Sequence, residues 1–182
     1  MEAGVDQGGH YSIENIKMPS DIPPEVGALA IKGDILYIAL RRGDIIYSKI
    51  MKDPNAFSWK RFSTGYHNPC GMEFDKQGRL LVSQMGELNR LTDSDGDGKA
   101  DLVETLCHWG LSGNYHETVE MCPDGSGGFY LAIGTASHNG PTFKWVKEEY
   151  SRIGRRGRNF SSVKWRGRVM NYTKEGKLVP HA

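Results

Sequence analysis

A strand, a polar turn carrying glycine and a second strand recur three times in this chain. The recurrence predicts an all-β fold of β-propeller type, with about three to four four-stranded blades. The three copies are residues 28–39 (Ala-Leu-Ala-Ile-Lys-Gly-Asp-Ile-Leu-Tyr-Ile-Ala), residues 71–83 and residues 118–132. Leu29, Met72 and Val119 correspond among them, giving steps of 43 and 47 residues. A further strand recurs after each copy, at Ile45–Lys49, Leu88–Thr92 and Val169–Thr173, with spacings of 43 and then 81, close to two repeats. Four short strands in roughly 40 to 50 residues is the arithmetic of one propeller blade. A sandwich or barrel also has many short strands, but needs no such internal period.

Residues 1–20 form an N-terminal extension and 21–182 the propeller domain, with blades near 21–63, 64–110 and 111–182. In the first blade, strands flank the Lys32-Gly-Asp34 turn, and Ile45–Lys49 supplies the next. In the second, Arg79–Thr92 reads as two short strands broken at Gly86, and Ala100–Leu106 alternates as a strand with Leu102, Glu104 and Leu106 on one side. The third blade is interrupted by a basic insertion at 143–168, and Gly176–Ala182 reads as an outer strand leading toward a next blade. Closed propellers typically have four to eight blades. Part of a larger propeller is therefore expected, with a self-closing oligomer or a four-bladed ring as alternatives.

Composition sets the bounds. The chain has 182 residues, 38% hydrophobic and 25% charged, ordinary values for a globular domain. Its 23 basic and 22 acidic residues leave a formal charge of +1, which favours neither nucleic acid nor an anionic membrane as a partner. No apolar run approaches the roughly 20 residues of a membrane span. The first ten residues lack the basic start and apolar centre of a signal peptide, so either a cytoplasmic protein or one whose leader lies outside this sequence is expected. Cys70, Cys107 and Cys122 form no C-x-x-C pattern, which excludes a zinc ribbon and covalent haem. They read as buried small apolar residues, and spacing alone does not establish a Cys107–Cys122 disulfide.

The sharpest local signal is Asp93-Ser-Asp95-Gly-Asp97-Gly98-Lys99-Ala-Asp101-Leu-Val-Glu104, a full match to the calcium loop pattern D-x-[DN]-x-[DN]-G-x5-E. A hard cation needs several oxygen donors converging at about 2.5 Å. Alternate carboxylates around a sharp glycine turn supply them. An EF-hand needs a helix on each side, whereas these flanks read as strands, so the loop is expected to close a β-hairpin. Asp93, Asp95, Asp97, the Lys99 carbonyl and Asp101 are the expected ligands; Glu104 completes the pattern, but lies far along an extended strand. An acidic, solvated turn without an ion would use the same residues.

Further strings give the chain a relation. Gly27-Ala-Leu-Ala with Arg41-Arg-Gly-Asp44, Leu91-Thr-Asp-Ser-Asp-Gly-Asp-Gly98, Trp109-Gly-Leu-Ser-Gly-Asn-Tyr-His-Glu117, and Trp165-Arg-Gly-Arg168 before Tyr172-Thr-Lys-Glu-Gly176 carry it. On these residues, over about 20–182, the chain resembles the secreted quinoprotein sugar dehydrogenase propellers of glucose and sorbosone dehydrogenase type, in particular the sorbosone-dehydrogenase-like proteins of planctomycetes. The resemblance implies pyrroloquinoline quinone as cofactor, a sugar or polyol as substrate, a cytochrome c domain or protein as electron acceptor, and a periplasmic or extracellular location. In the family, a histidine ahead of a Pro-Asp turn and a Tyr-x-x-x-Gly strand is the general base. The similar run here is His116, Pro123-Asp124 and Tyr130–Gly134, with a shorter histidine-to-turn separation. The resemblance thus assigns His116 as the base, and a reference pKa near 6.5 suits a histidine to that task. The family's other quinone and calcium contacts fall in later blades. The loop at Asp93 is expected to lie away from that centre, pinning an outer hairpin.

His67 is expected to shape the turn entering the second blade, and His138 and Asn139 to sit in a solvated loop. The basic insertion interleaves Trp145, Tyr150, Phe160 and Trp165 with nine Lys and Arg residues, a composition that can bind anionic polymers. Glu148 and Glu149 dilute the charge, so a long solvated loop packing its aromatics on the adjacent blade is expected instead. A non-catalytic propeller binding glycan or protein partners is the alternative to the enzyme, since no second catalytic group is evident.

Overall fold

The computed structural model describes residues 13–109, 119–134, 150–155, 158–163 and 167–181. Runs of alternating apolar residues form β1 (Val26–Lys32), β2 (Ile35–Leu40), β3 (Ile45–Lys49) and β4 (Lys60–Ser63), which pair in that order as an antiparallel sheet. β5 (Gly71–Phe74), β6 (Leu80–Gln84), β7 (Glu87–Thr92) and β8 (Leu102–His108) form the second sheet in the same way. In the third sheet β9 (Val119–Pro123) and β10 (Phe129–Ile133) precede β11 (Tyr150–Arg155) and β12 (Arg158–Val163), a separate hairpin. β13 (Arg168–Tyr172) and β14 (Leu178–Pro180) then complete the sheet in the order β9-β10-β13-β14. The first strands lie side by side, β1 against β5 and β5 against β9. Three four-stranded blades therefore fan out from a common inner edge.

The blades are joined by apolar side chains on their facing surfaces. Between the first two, Ala30, Ala39, Ile45 and Phe62 meet Met72, Leu80, Val82 and Leu91. Tyr37 anchors this layer, stacked on Tyr47 at 5.3 Å and edge-on to Phe62 and Phe74 at 5.5 and 5.2 Å. Between the second and third, Leu81 and Leu88 meet Val119, Phe129, Leu131, Ile133 and Met170, with Trp109 at the end of the layer. Each fully buried side chain of this size contributes about 1.5–3 kcal/mol. Junctions rather than single sheets thus hold the stability. On the other face of the first blade, Ile38, Leu40 and Ile46 are covered by Ile22, Met18 and Trp59, whose indole N–H donates to the Lys17 carbonyl at 2.9 Å.

Two sequence expectations change. Leu29 was aligned with Met72 and Val119, yet it is 58% exposed while they are 5% and 1%. The buried residue is its neighbour Ala30, because the β1–β2 turn has two residues where the β5–β6 turn has five, which shifts the register counted from the turn. A one-residue shift exchanges the faces of a strand. The insertion, expected as a loop, contains the β11–β12 hairpin, with Tyr150 opposite Val163 and Ile153 opposite Phe160. These aromatic and β-branched residues favour strand pairing, and the charge count had hidden the pattern. Among the described residues no helix is long and apolar enough to cross a membrane.

Candidate functional site

Antiparallel order sorts the connections between two ends of the blades. One end carries the turns at 33–34, 50–59, 75–79, 93–101, 124–128 and 173–177; the other carries those at 41–44, 64–70 and 85–86. β8 finishes and β9 starts at this second end, and the insertion leaves β10 and rejoins β13 there. His116, His138 and Asn139, which belong to those connections in sequence, lie outside the described residues. The acidic loop is at the opposite end.

That loop closes the β7–β8 hairpin, and it gathers oxygen donors. One carboxylate oxygen each of Asp93, Asp95 and Asp97 lies within 4.8 Å of the others. The turn is wound by their own backbone contacts. Asp93 accepts from Gly96 N–H at 2.8 Å and Gly98 N–H at 3.0 Å, Asp95 from Asp97 N–H at 3.1 Å, and Asp97 from Lys99 N–H at 2.8 Å. Gly98 has a φ of 85°, and a side chain there would collide with the Tyr47 hydroxyl of the first blade. Two residues on, Ala100 N–H donates to the Phe62 carbonyl at 2.8 Å, also in the first blade. The loop is therefore fastened across the junction of two blades. Burial raises the Tyr47 phenol above its ordinary pKa, and the neighbouring Asp93 and Asp97 charges add to the rise. Asp93 is half-buried and Asp95 and Asp97 are exposed, and their three converging oxygens could supply part of the six to eight that a calcium ion takes.

The remaining two acids of the pattern are engaged elsewhere. Asp101 accepts from Ser94 N–H at 3.0 Å and from the Ser94 hydroxyl, and these bonds lower its pKa. Glu104 faces Arg90 on β7 and receives Nε–H and Nη2–H, both at 2.8 Å. This pair lowers the Glu104 pKa and raises that of Arg90. Neither belongs to the cluster of three in this arrangement. The arginine partner was not legible from the motif; Arg90 and Glu104 are brought together only by the pairing of β7 with β8.

The other end of the blades is built from polar groups. Arg41, just past β2, donates from Nε to Asn68 Oδ1 at 2.8 Å across the first junction. His67 donates its N–H to Gln84 Oε1 at 2.6 Å and its carbonyl accepts from Met85 N–H, so the segment entering the second blade is tied to the β6–β7 turn. Gln84 in turn donates to Glu87 at 2.9 Å and Asn89 at 2.6 Å. All three cysteines are free thiols. Burial pushes Cys107 up to about 12 and raises Cys70, with Arg41 opposing that rise and Glu120 adding to it. Neither thiol is poised as a nucleophile. At the β9–β10 turn, burial pushes the Asp124 carboxyl up, but bonds from Asn171, Ser126 and Gly128 outweigh it and hold it well below its ordinary value.

No family model matches the chain, and no curated protein matches it. Solved structures do. The chain is similar to the holo form of the PQQ domain of pyranose dehydrogenase from Coprinopsis cinerea, with a TM-score of 0.59 and 14% identity over 83% of this chain and 34% of that one. It shares its fold with that domain. A second similar structure is the Carbohydrate-Active Enzymes Family AA12 protein of Trichoderma reesei, with a TM-score of 0.58 and 8% identity over 83% of this chain and 36% of that one. The chain thus spans about a third of the length of either. At such identities the likeness carries the architecture, and function rests on the sites.

Proposed function

We propose that this chain is part of a calcium-bearing propeller of a quinoprotein dehydrogenase that oxidises sugars or other polyols, with His116 as its general base. The observation that carries the reading is the meeting of two independent lines. The three blades share their fold with a PQQ domain, and the Trp109–Glu117 string that resembles quinoprotein dehydrogenases leaves β8 at the polar end of the blades. That end offers the exposed Arg41, held by the Asn68 amide oxygen, a cation suited to a polyanionic quinone. Pyrroloquinoline quinone, when bound, supplies the acceptor for hydride from the sugar carbon. In this reading His116 takes the sugar hydroxyl proton on an imidazole nitrogen. These blades by themselves are expected to be inactive, because one base without a complete pocket lacks both positioning and electrostatic stabilisation.

Asp93, Asp95 and Asp97, with Asp101 and the Lys99 carbonyl, are proposed to hold calcium as a clamp between the first two blades, remote from the chemistry. Glu104 stays with Arg90 in this proposal. A protein containing these blades should reduce an artificial acceptor when given pyrroloquinoline quinone, calcium and an aldose or sorbosone, and lose turnover when His116 is replaced by Ala. Quinone binding absent and no dye reduction across a sugar panel would overturn the reading. The second reading is a propeller that binds glycans or proteins at the cell surface without turning them over; unchanged ligand binding in His116→Ala would favour it.

A further inference from the structure

Three arginines of the first blade differ in their partners. Arg42 is paired with Glu25 at 3.0 Å and Arg61 with Asp44 at 3.0 Å. Arg41 has no carboxylate partner among the described residues, although the residue is exposed and its Nε is fixed on Asn68. Its stem crosses the innermost strand of its own blade, where a side chain on Gly27 would meet Arg41 Cγ at 3.3 Å and collide with the Pro69 carbonyl oxygen. The guanidinium thus runs from β2 across β1 to the segment that enters β5. Neither of its terminal amino groups has a hydrogen-bond partner among the described residues.

Asn68 is shaped for holding it. It is the one non-glycine residue with positive φ among the described residues, at 50°, a conformation asparagine tolerates better than most side chains. It is only 7% exposed, and its Nδ2 is buried with no hydrogen-bond partner among the described residues. Arg41 Nε can only donate, so the amide oxygen must face it and Nδ2 must face the other way. The fold leaves one amide donor orphaned while keeping the guanidinium aimed. Such an arrangement has little structural return for an exposed arginine, but a guanidinium held in a fixed plane is suited to bidentate recognition of a carboxylate.

We infer that Arg41, aimed by Asn68, is an anion-recognition residue that takes a carboxylate of the ligand bound at the polar end of the blades. This rests on the quinone reading above and deepens it, since pyrroloquinoline quinone is a tricarboxylate. Asn68 acts through Arg41 and is a positioning residue.

The test uses the protein carrying these blades, with calorimetry and the NMR resonance of Arg41 Nε–H as readouts. Probes are pyrroloquinoline quinone, its trimethyl ester and benzene-1,3,5-tricarboxylate. Arg41→Gln should weaken quinone binding by about 10- to 100-fold, the size of one charge-assisted hydrogen bond, and leave the ester unaffected. Asn68→Gly keeps the left-handed backbone and should weaken the quinone less, while broadening or shifting the Nε–H signal. Arg41→Lys, which retains charge without the fork, should fall between wild type and Arg41→Gln. Quinone binding by the wild type that is unchanged in folded Arg41→Gln overturns the assignment, and so does an Arg41 signal that neither acid moves. If the wild type ignores the quinone but the tricarboxylate moves the Arg41 signal, the quinone reading fails and the anion site stands.

Discussion

Replacing Asp95 by Ser separates a metal site from an acidic turn through a change of sign. The serine hydroxyl can still accept the Asp97 N–H that Asp95 now takes at 3.1 Å, so the turn keeps its winding while one charge and one ligand disappear. In chelator, the three carboxylate oxygens within 4.8 Å repel one another. At that separation each pair costs about 0.9 kcal/mol at the permittivity of water, so removing Asp95 relieves two pairs, about 1.7 kcal/mol before salt. Screening at physiological ionic strength reduces this to roughly 1 kcal/mol. With calcium the balance reverses. A site with an affinity on the order of 10 µM in 1 mM calcium stabilises the wild type by about 2.7 kcal/mol, which raises its melting temperature by roughly 5–10 °C for a domain of this size. Asp95→Ser should therefore melt above the wild type in chelator and below it in calcium, by differential scanning calorimetry. Curves that move in parallel, or a wild type indifferent to calcium, would refute the clamp.

Further expectations follow from the junctions and turns. Hydrogen exchange of the Ala100 amide, bonded to Phe62, should slow when calcium is added, since the loop spans two blades. Leu88→Ala and Leu131→Ala, both fully buried between the second and third blades, should each cost about 2–5 kcal/mol by denaturant titration. Glu104 has a lowered pKa in the folded protein, so its contribution is present above the unfolded value of about 4.3 and is lost as pH falls through the folded value. Glu104→Gln should therefore flatten the acid limb of the stability profile and leave neutral calcium affinity unchanged. Asp124→Ala should speed exchange at the Ser126 and Gly128 amides, which both donate to that carboxylate.

The blades were legible because strand alternation and glycine turns are local signals. The hairpin break at Gly86, the β7–β8 closure around Asp93 and the third strands of all three blades follow from a few neighbouring residues each. The face taken by Leu29 was not, since it depends on the register of β1 with β2 across their two-residue turn. Arg90–Glu104 and Arg41–Asn68 were hidden for the same reason: their partners are 14 and 27 residues apart and meet only through strand pairing or blade stacking. A trace did exist in the sequence. Tyr66-His67 precedes β5 as Tyr115-His116 precedes β9, which marks both segments as inner entrances to blades and makes Asn68 a neighbour of the end where chemistry is proposed.

Quinone-dependent sugar oxidation is the central claim, and one assay addresses it. The protein containing these blades, supplied with pyrroloquinoline quinone and calcium, is followed for dye reduction over a panel of aldoses and polyols beside His116→Ala. Turnover that requires the quinone and falls about 100- to 10,000-fold without the imidazole, the range for a general base, is the expected result. No quinone-dependent reduction with any sugar, or a folded His116→Ala protein as active as the wild type, would contradict it.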